Sequence, residues 1–396
     1  MIPEKKKVNL TEYKTEYFPA NCLSQDMGKL IWQLFKNYIS IEPPSWKNDD
    51  HWELTSNGWV GYIPIGDDVT ICLNPKVPIG NLFRMLEYAY RLKLIIVEGL
   101  FDCETLNEFY ESLAIILASR VIDRKRKGLH KLYIDKKEEL PYLRGKLQFQ
   151  DIIRKPWIVN LPSQYQEHTP DIADNQILSW TLFVIIRSGV CSENSISTIR
   201  KAYRELQRLI ELNLYSPQDC INRLYDRLNE DYKPMHILCR FFLENSGPSI
   251  NQGDRSMMPF LIDMSKLYEL FVAEWLRAKL PNDYELISQE HIKFGSTGEI
   301  SFDIDLVINS KESDEVVYVL DTKYKIPEAP SSSDVHQIVA YSEAKNCNEA
   351  ILIYPAKIKS PFEGMIGQIN VRTLSFSIDG DLDDGGNQFL TELFTD

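Results

Sequence analysis

The sequence predicts a multidomain protein of α+β or α/β class. Its 396 residues exceed what one ordinary hydrophobic core holds together. Near the N-terminus apolar and polar residues alternate, as in β-strands, whereas residues 170–245 have helical spacing throughout. Residues 300–325 then have the pattern of two strands joined by a polar turn. We therefore expect an N-terminal β-rich domain, a helical layer, and a C-terminal αβ core with a central mixed sheet.

Three segments follow from these patterns, at residues 1–135, 136–250 and 251–396. The last boundary lies in "ENSGPSINQGDRS" at 244–256, where Gly, Pro, Ser and Asn accumulate as in a linker. The tail stretch "SIDGDLDDGGNQ" is acidic and rich in glycine. We expect it to be a loop.

The N-terminal segment contains a hairpin and two helices. "GWVGYIPIGDDVTICLNPKVPI" alternates on both sides of a Gly-Asp-Asp turn, and "GNLFRMLEYAYRL" after it has helical spacing. A longer helix is predicted from about Thr105 to Arg126, closed by Gly128. Its basic end, Arg124 to Lys127, is either a solvated last turn that complements the helix dipole or a contact surface for DNA or an acidic partner.

The middle segment is predicted to be helical. "NQILSWTLFVIIRSG" and "STIRKAYRELQRLIELNLY" carry the strongest periodicity, and three helices with an apolar face are expected up to residue 245. Such helices bury one face against a neighbouring element. We expect them to form a packing layer.

Composition excludes several classes of protein. A net charge of −13 argues against nucleic-acid binding over the whole surface, so any such site is a local patch or depends on metal ions. No apolar run is long enough to span a membrane, and the start "MIPEKKKVNL" lacks the features of a secretory signal. Seven cysteines without zinc-ligand spacing are expected to be reduced thiols. The expected location is the cytoplasm.

Acidic residues interrupt the two C-terminal strands. In a strand, residues two apart share a face, so Asp303 and Asp305 point the same way, as do Asp321 and Lys323. If the strands pair, these side chains converge at one edge of the sheet. Glu269, on the amphipathic helix "MSKLYELFVAEWLRAKL", is a further candidate. The alternative is that the acids are ordinary strand-edge charges and Glu269 a solvated helix residue.

A cluster of carboxylates has a chemical use, because a divalent cation can neutralise it. Carboxylate and main-chain oxygens suit Mg²⁺, with Mn²⁺ as the alternative, and the carbonyl of Thr322 can supply one of them. Such an ion activates water, and Lys323 can orient that water or stabilise the charge that develops on a phosphodiester. A bare Asp-x-Lys occurs often by chance, so the function depends on its context.

The order of elements resembles the PD-(D/E)xK nuclease core. A helix with Glu269 precedes the strands, and the helix "SDVHQIVAYSEAK" and the strand "EAILIYP" follow them. Gln337 and Tyr341 resemble the Q-x-x-x-Y element of DNA-cleaving members, whereas His336 is expected at the surface. Asp305 is preferred over Asp303 as first acid because "LVI" follows it, although Ile304 stands where the family has proline.

Several stretches also resemble the McrC family, the endonuclease subunits of McrBC modification-dependent restriction systems. They are "LNPKVPIGNLFRMLEYAY", "KGLHKLYIDKKEELPYLRGKLQF", "HTPDIADNQILSWTLF", "YELFVAEWL", "FDIDLVI", "VLDTKYK" and "HQIVAYSEA". The resemblance spans roughly residues 70 to 355.

This resemblance implies a Mg²⁺-dependent DNA endonuclease that acts with a hexameric AAA+ GTPase, McrB, on double-stranded DNA containing modified cytosine such as 5-methylcytosine. It implies metal ligation by Asp305, Asp321, Thr322 and Glu269, with Lys323 and Gln337 also in the catalytic site. Residues 1–135 would dock into the partner ring and stimulate GTP hydrolysis. The chain itself is expected to bind no nucleotide, since it lacks a G-x-x-x-x-G-K-[ST] loop. Arg124 to Lys127 and "RGK" at 144–146 are candidate contacts with the partner or with phosphate.

Two other functions stay open. The chain could be a regulatory subunit that only binds and activates the GTPase, or a stand-alone DNA repair nuclease. Separation of the two activities by domain would favour the first, and cleavage without partner or GTP would favour the second.

Overall fold

The structure is a computed structural model that describes residues 6–65, 69–92, 103–155, 157, 159–248, 250–252, 255–294 and 300–395. The chain divides into two compact units. Unit 1 combines Met1–Leu106 with Pro259–Asp396, and unit 2 is Asn107–Met258.

Helices within the described residues belong to both units. They are α1 Gln25–Phe35, α2 Ile79–Ala89, α3 Leu106–Lys127, α4 Phe149–Arg154, α5 Ala173–Ser188, α6 Glu193–Gln207, α7 Tyr232–Glu244, α8 Met264–Lys279, α9 Ser332–Lys345 and α10 Leu382–Leu393. A 3₁₀ turn at Pro217–Cys220 lies between α6 and α7. The helices predicted at 80–92 and about 105–126 are confirmed as α2 and α3, as are the three helices of the middle segment.

Strands are also found in both units. They are β1 Lys6–Thr11, β2 Thr15–Pro19, β3 Ile39–Glu42, β4 His51–Ser56, β5 Trp59–Ile65, β6 Val69–Asn74, β7 Leu132–Leu140, β8 Lys146–Leu147, β9 Leu161–Thr169, β10 Ile250–Gln252, β11 Arg255–Met257, β12 Phe260–Asp263, β13 Tyr284–Phe294, β14 Ile300–Ser310, β15 Val316–Thr322, β16 Glu349–Tyr354, β17 Glu363–Ile366 and β18 Ile369–Ser375. β5 and β6 form the predicted antiparallel hairpin, whose Gly-Asp-Asp turn lies outside the described residues.

One sheet of unit 1 joins the N-terminal segment to the start of the C-terminal segment. Its strand order is β1-β6-β5-β12, so the strand that leads into α8 pairs with the N-terminal hairpin. Gly61 permits this approach, because a Cβ there would lie 2.0 Å from the carbonyl oxygen of Phe260. A second sheet, β2-β4-β3, lies in the N-terminal segment alone.

The two compact units divide the chain differently from the predicted domains. The sequence suggested separate segments at 1–135, 136–250 and 251–396, whereas the first 106 residues pack with the C-terminal segment in one unit. The predicted linker at 244–256 contains the β10-β11 hairpin, and the boundary between units follows it, at Met258. Turn-forming residues therefore marked a hairpin close to the boundary.

The C-terminal segment is built on a mixed sheet. Its strand order is β13-β14-β15-β16-β18-β17, with β15, β16 and β18 parallel and the other pairs antiparallel. α9 covers a face of this sheet, and Ile338 of the helix is fully buried against Val319 and Leu352 in one apolar cluster. Burial on this scale fixes the strand ends that carry the acidic residues.

The acidic tail stretch at 377–388 is a loop only as far as Asp381, and its prediction as a loop is wrong for the residues from Leu382 onward. Residues 382–387 form the first turns of α10, which Asp381 caps by accepting hydrogen bonds from the main-chain N–H groups of Asp383 and Asp384. Acidic side chains at a helix N-terminus complement its dipole. Gly386 lets α10 lie against Trp275, since a Cβ there would come within 2.3 Å of the indole.

Unit 2 combines helices with a small antiparallel sheet of order β7-β9-β8. Its interior holds a polar network centred on the buried Asp174, which accepts hydrogen bonds from Arg223 and pairs with His130 Nδ1 at 3.0 Å. His236 Nε2 lies 3.0 Å from the main-chain oxygen of Asp174, and Tyr225 contacts its other nitrogen. Buried polar groups matched in this way fix a unique packing.

The prediction of a mixed multidomain architecture is confirmed, with several sheets and helices among the described residues. None of the helices in the described ranges is both long and apolar enough to span a bilayer.

Candidate functional site: an acidic cluster beside a lysine

Two neighbouring strands position the acids of the site. β14 carries Asp305 and β15 carries Asp321, and the strands pair antiparallel with Leu306 opposite Leu320. When this register is continued by one residue, Asp305 lies opposite Asp321. Leu306 and Leu320 are fully buried, so the strands are anchored directly beside the acids.

Asp305 is fixed by the residue that follows Asp321. Its Oδ2 accepts hydrogen bonds from the Thr322 main-chain N–H, at 2.8 Å, and from the Thr322 hydroxyl, at 2.9 Å. Thr322 was predicted to contribute its carbonyl oxygen to a metal. Its N–H and hydroxyl also orient the first acid.

Lys323 connects the acids to α9. Its Nζ lies 2.6 Å from Oδ2 of Asp321, whose side chain is 1% exposed, and it donates to Oε1 of Gln337 at 3.0 Å. Gln337 in turn donates from Nε2 to the hydroxyl of Tyr341 at 2.7 Å. The structure thus brings Asp321, Lys323, Gln337 and Tyr341 into one line of contacts.

Glu269 approaches the same cluster from α8. It is half-buried, and Gln289 Nε2 donates to its Oε1 at 3.3 Å. Burial raises the pKa of Glu269 to about 7, with further upward contributions from Asp305 and Asp321. A freely solvated helix residue would lack both effects.

The whole cluster has the electrostatics of crowded carboxylates. Burial, followed by repulsion from Asp305, raises the pKa of Asp321 to about 7. Burial also raises the pKa of Asp305, against the hydrogen bonds from Thr322. Burial alone would lower the pKa of Lys323, but its acidic neighbours, Asp321 first, raise it. Ionised carboxylates here are therefore unfavourable unless more positive charge enters.

A divalent cation such as Mg²⁺ requires several oxygen ligands that converge on one point. Within the described ranges, no group of three or more His, Cys, Asp or Glu side chains is arranged to hold a metal ion. Both aspartates already have partners in the protein: Lys323 forms an ion pair with Asp321, and Thr322 donates a hydrogen bond to Asp305. The donor set nevertheless fits a hard cation in its chemistry, since the buried Asp321 and the half-buried Asp305 and Glu269 bring unfavourable negative charge together.

Two residues considered in the sequence lie apart from the cluster. Asp303 is 83% exposed at its side chain and pairs with His291 Nδ1 at 2.6 Å. His336 is exposed on α9, as expected. Of the two rival acids, the structure places only Asp305 beside Asp321.

The basic runs are engaged within unit 2. Arg124 pairs with Asp231 at 3.3 Å, and Lys125 pairs with Glu205 at 2.7 Å. Arg144 stacks over the ring of Tyr165 and pairs with Glu167. The sequence suggested that Arg124 to Lys127 and residues 144–146 contact the partner or phosphate. That suggestion stays a prediction.

Comparison with known proteins decides the family. The model of the McrBC 5-methylcytosine restriction system component matches residues 54–355, which is more than half of the chain. The chain belongs to this family. The resemblance to McrC seen in the sequence is thereby confirmed.

Relatives of the McrBC family match in sequence and in fold. The chain is 25% identical over 261 residues to the type IV methyl-directed restriction enzyme EcoKMcrBC of Escherichia coli K12, covering 63% of this chain and 74% of that protein. It matches a chain of the refined half-complex from a tetradecameric assembly of Thermococcus gammatolerans McrB AAA+ hexamers with bound McrC, with 20% identity and a TM-score of 0.57 over 98% and 99% of the two chains. At this identity the match shows the fold alone. A cryo-EM structure of the T. gammatolerans McrBC complex gives a TM-score of 0.43 and 20% identity over 70% of this chain and 89% of that chain, too low to carry an argument.

Sequence reasoning missed several residues of this McrBC-family site. Lys325 pairs with the buried Asp334 at 2.6 Å, directly after the Asp-x-Lys motif. Tyr324 donates to Oε2 of Glu12 at 3.2 Å. Lys323 and Lys325 both follow the end of β15 at Thr322, so the alternation of a strand did not connect them. Nothing local indicated Glu12, which is 312 residues away along the chain.

Proposed function

We propose that this McrBC-family chain is the Mg²⁺-dependent endonuclease subunit of a GTP-dependent, modification-dependent restriction complex. The observation that carries the proposal is the convergence of Asp305, Asp321 and Lys323 around the end of β15, an interior strand of the mixed sheet. Restriction requires cleavage of phosphodiesters, and this cluster has the carboxylates and the cation that metal-assisted hydrolysis uses. The order of elements around it supports a PD-(D/E)xK nuclease core.

Each residue has a distinct part in this proposal. Asp305, Asp321, the carbonyl of Thr322 and Glu269 would hold the Mg²⁺, and Mn²⁺ is expected to substitute. The bound ion supplies an activated water and a Lewis acid for the phosphate. Thr322 keeps Asp305 oriented through its two hydrogen bonds.

Lys323 is proposed to act on the substrate itself. Its ammonium lies between Asp321 and Gln337, so it can leave its ion pair and bind a phosphate oxygen or the attacking water. Gln337 and Tyr341 hold the lysine at the mouth of the site through their own hydrogen bond. A fixed cation that meets developing negative charge lowers the barrier without further rearrangement.

The partner is proposed to be a McrB-like AAA+ GTPase hexamer acting on double-stranded DNA with modified cytosine. Membership of the McrBC family supports it, as does the likeness to a chain solved with McrB hexamers. Unit 2 offers a surface for such a partner, because it exposes large apolar side chains that a monomer rarely leaves in water. They are Leu132, Tyr133, Tyr142, Leu143, Phe149, Ile153, Trp157 and Val159. The predicted docking segment, 1–135, overlaps this surface at Leu132 and Tyr133. We place the complex in the cytoplasm.

The test compares two aspartates that the structure separates. Asp321→Asn is expected to abolish cleavage of modified plasmid DNA in the full mixture of chain, partner and GTP. Asp303→Asn, which changes an exposed acid on the neighbouring strand, is the matched control and should cut at the wild-type rate. GTP hydrolysis by the partner is measured in parallel and should be unchanged in both variants.

The other outcomes identify the alternatives. If the wild-type chain stimulates GTP hydrolysis by the partner but cuts no DNA, it is a regulatory subunit. Cleavage without partner and GTP would make it a stand-alone nuclease. Full cleavage by Asp321→Asn would exclude the acidic cluster as the catalytic site.

A further inference from the structure

An open cleft leads away from the acidic cluster inside unit 1. Its volume is about 590 Å³. Thr322, Lys323 and Asp334 line one side, and Tyr13, Lys76 and Ser265 line the other. A second cavity of about 270 Å³ shares Tyr13 and Lys76 and continues the same groove. The N-terminal segment therefore forms one wall of a channel that begins at the nuclease cluster.

The lysines of this cleft differ in what they contact. Lys323 pairs with Asp321 and Lys325 pairs with Asp334, each at 2.6 Å. Lys76 is exposed, its Nζ lies 4.6 Å from the centre of the Tyr13 ring, and it forms no ion pair with an acid of the described chain. Its charge is therefore available to a ligand in the groove.

A buried acid fixes the position of Lys76. Glu12 is 0% exposed, and its Oε2 accepts hydrogen bonds from the main-chain N–H of Lys76 at 3.4 Å and from the hydroxyl of Tyr324 at 3.2 Å. Tyr324 directly follows Lys323. The main chain at Lys76 is thus tied to the strand end that carries the Asp-x-Lys motif, which an ordinary surface lysine is not.

We propose that Lys76, with the ring of Tyr13 beneath it, binds a backbone phosphate of the DNA strand next to the phosphodiester that is cut. This rests on the proposed nuclease function and adds a subsite to it. A chain with net charge −13 and a cluster of carboxylates repels a polyanion, so an exposed lysine without an ion pair in the adjoining groove is where a flanking phosphate gains attraction, even though the buried Glu12 partly offsets its charge. The contact fixes register and reads no sequence.

The test uses the full chain with partner, GTP and plasmid DNA. Lys76→Ala should raise the KM for cleavage with little change in kcat. Each phosphate contact contributes about −0.9 to the slope of log affinity against log salt concentration. The wild-type enzyme should therefore lose more activity with salt than the variant, and the ratio of their kcat/KM values should fall roughly 3-fold between 50 and 200 mM salt. Lys47→Ala is the matched control, because Lys47 is an exposed lysine over Trp46, at 5.7 Å, outside the groove.

Failure of this subsite and failure of the nuclease function give different results. If Lys76→Ala keeps the wild-type KM and salt slope, or if Lys47→Ala changes them equally, the phosphate subsite is wrong. If Asp321→Asn abolishes cutting in the same experiment, the proposed nuclease function still stands. If wild type does not cut, or if Asp321→Asn cuts normally, the nuclease function fails and the subsite fails with it.

Discussion

Replacing Glu269 by glutamine should stabilise the metal-free protein. Glu269 lies half-buried on α8, next to Asp305 and Asp321, and burial with their charge raises its pKa to about 7 from 4.5. Glutamine keeps the shape and can still pair with Gln289, which donates to Glu269 at 3.3 Å. The substitution therefore removes charge with little loss of packing.

The size of the effect follows from the shift in pKa. Raising the pKa of Glu269 from 4.5 to about 7 means that ionising this carboxyl costs roughly 3 kcal/mol more in the folded protein than in the unfolded chain, at about 1.36 kcal/mol per pKa unit. Glu269 is partly exposed, so solvent screening reduces this to about 1–2 kcal/mol. Because the folded pKa is raised, wild type loses this stability as pH rises from about 4.5 through 7. The advantage of Glu269→Gln should be absent near pH 4.5 and complete at pH 8.

Urea unfolding of the full chain in EDTA, at both pH values, measures this difference. Glu274→Gln on the same helix is the control and should destabilise slightly, since Glu274 pairs with Arg91 at 2.7 Å. Added Mg²⁺ should stabilise wild type more than Glu269→Gln. A Glu269→Gln variant that is less stable at pH 8, or whose advantage is the same at both pH values, would show that Glu269 is not part of the acidic cluster.

Three further predictions follow from the contacts. Gly386→Ala should cost about 1–3 kcal/mol in urea unfolding, because its Cβ would overlap Trp275; an unchanged midpoint would contradict this packing. Burial lowers the pKa of His236 to about 4, so roughly 3 kcal/mol should be lost as pH falls from about 6.5 to 4, and His236→Gln should flatten that profile. Tyr341→Phe, which frees Gln337, should slow cleavage several-fold without changing stability by more than ~1 kcal/mol; wild-type cutting would refute its role.

Local patterns predicted the elements that carry the site. α2 and α3 were found from helical spacing, because each buries one continuous apolar face. Asp305, Asp321 and Lys323 were predicted from the period of two along a strand; antiparallel pairing brings the two acids together, and Lys323 follows directly after β15 and contacts Asp321. These features depend on residues close in sequence.

The missed features depend on distant residues. The tail was predicted as a loop because glycine and aspartate favour turns, but Gly386 is needed where the helix meets Trp275. The N-terminal wall of the cleft rests on Glu12 and Tyr324, which are 312 residues apart. Without an alternation or a spacing to connect them, a single sequence contains no signal for such a contact.

The most direct test of the central claim is to locate the metal. Crystals of the full chain soaked in Mn²⁺ should give an anomalous difference peak at the carboxylates of Asp305 and Asp321, and Asp321→Asn crystals treated alike should lose it. A peak at Asp303, or none at the paired acids in wild type, would contradict the assignment of this cluster as a metal-dependent nuclease site.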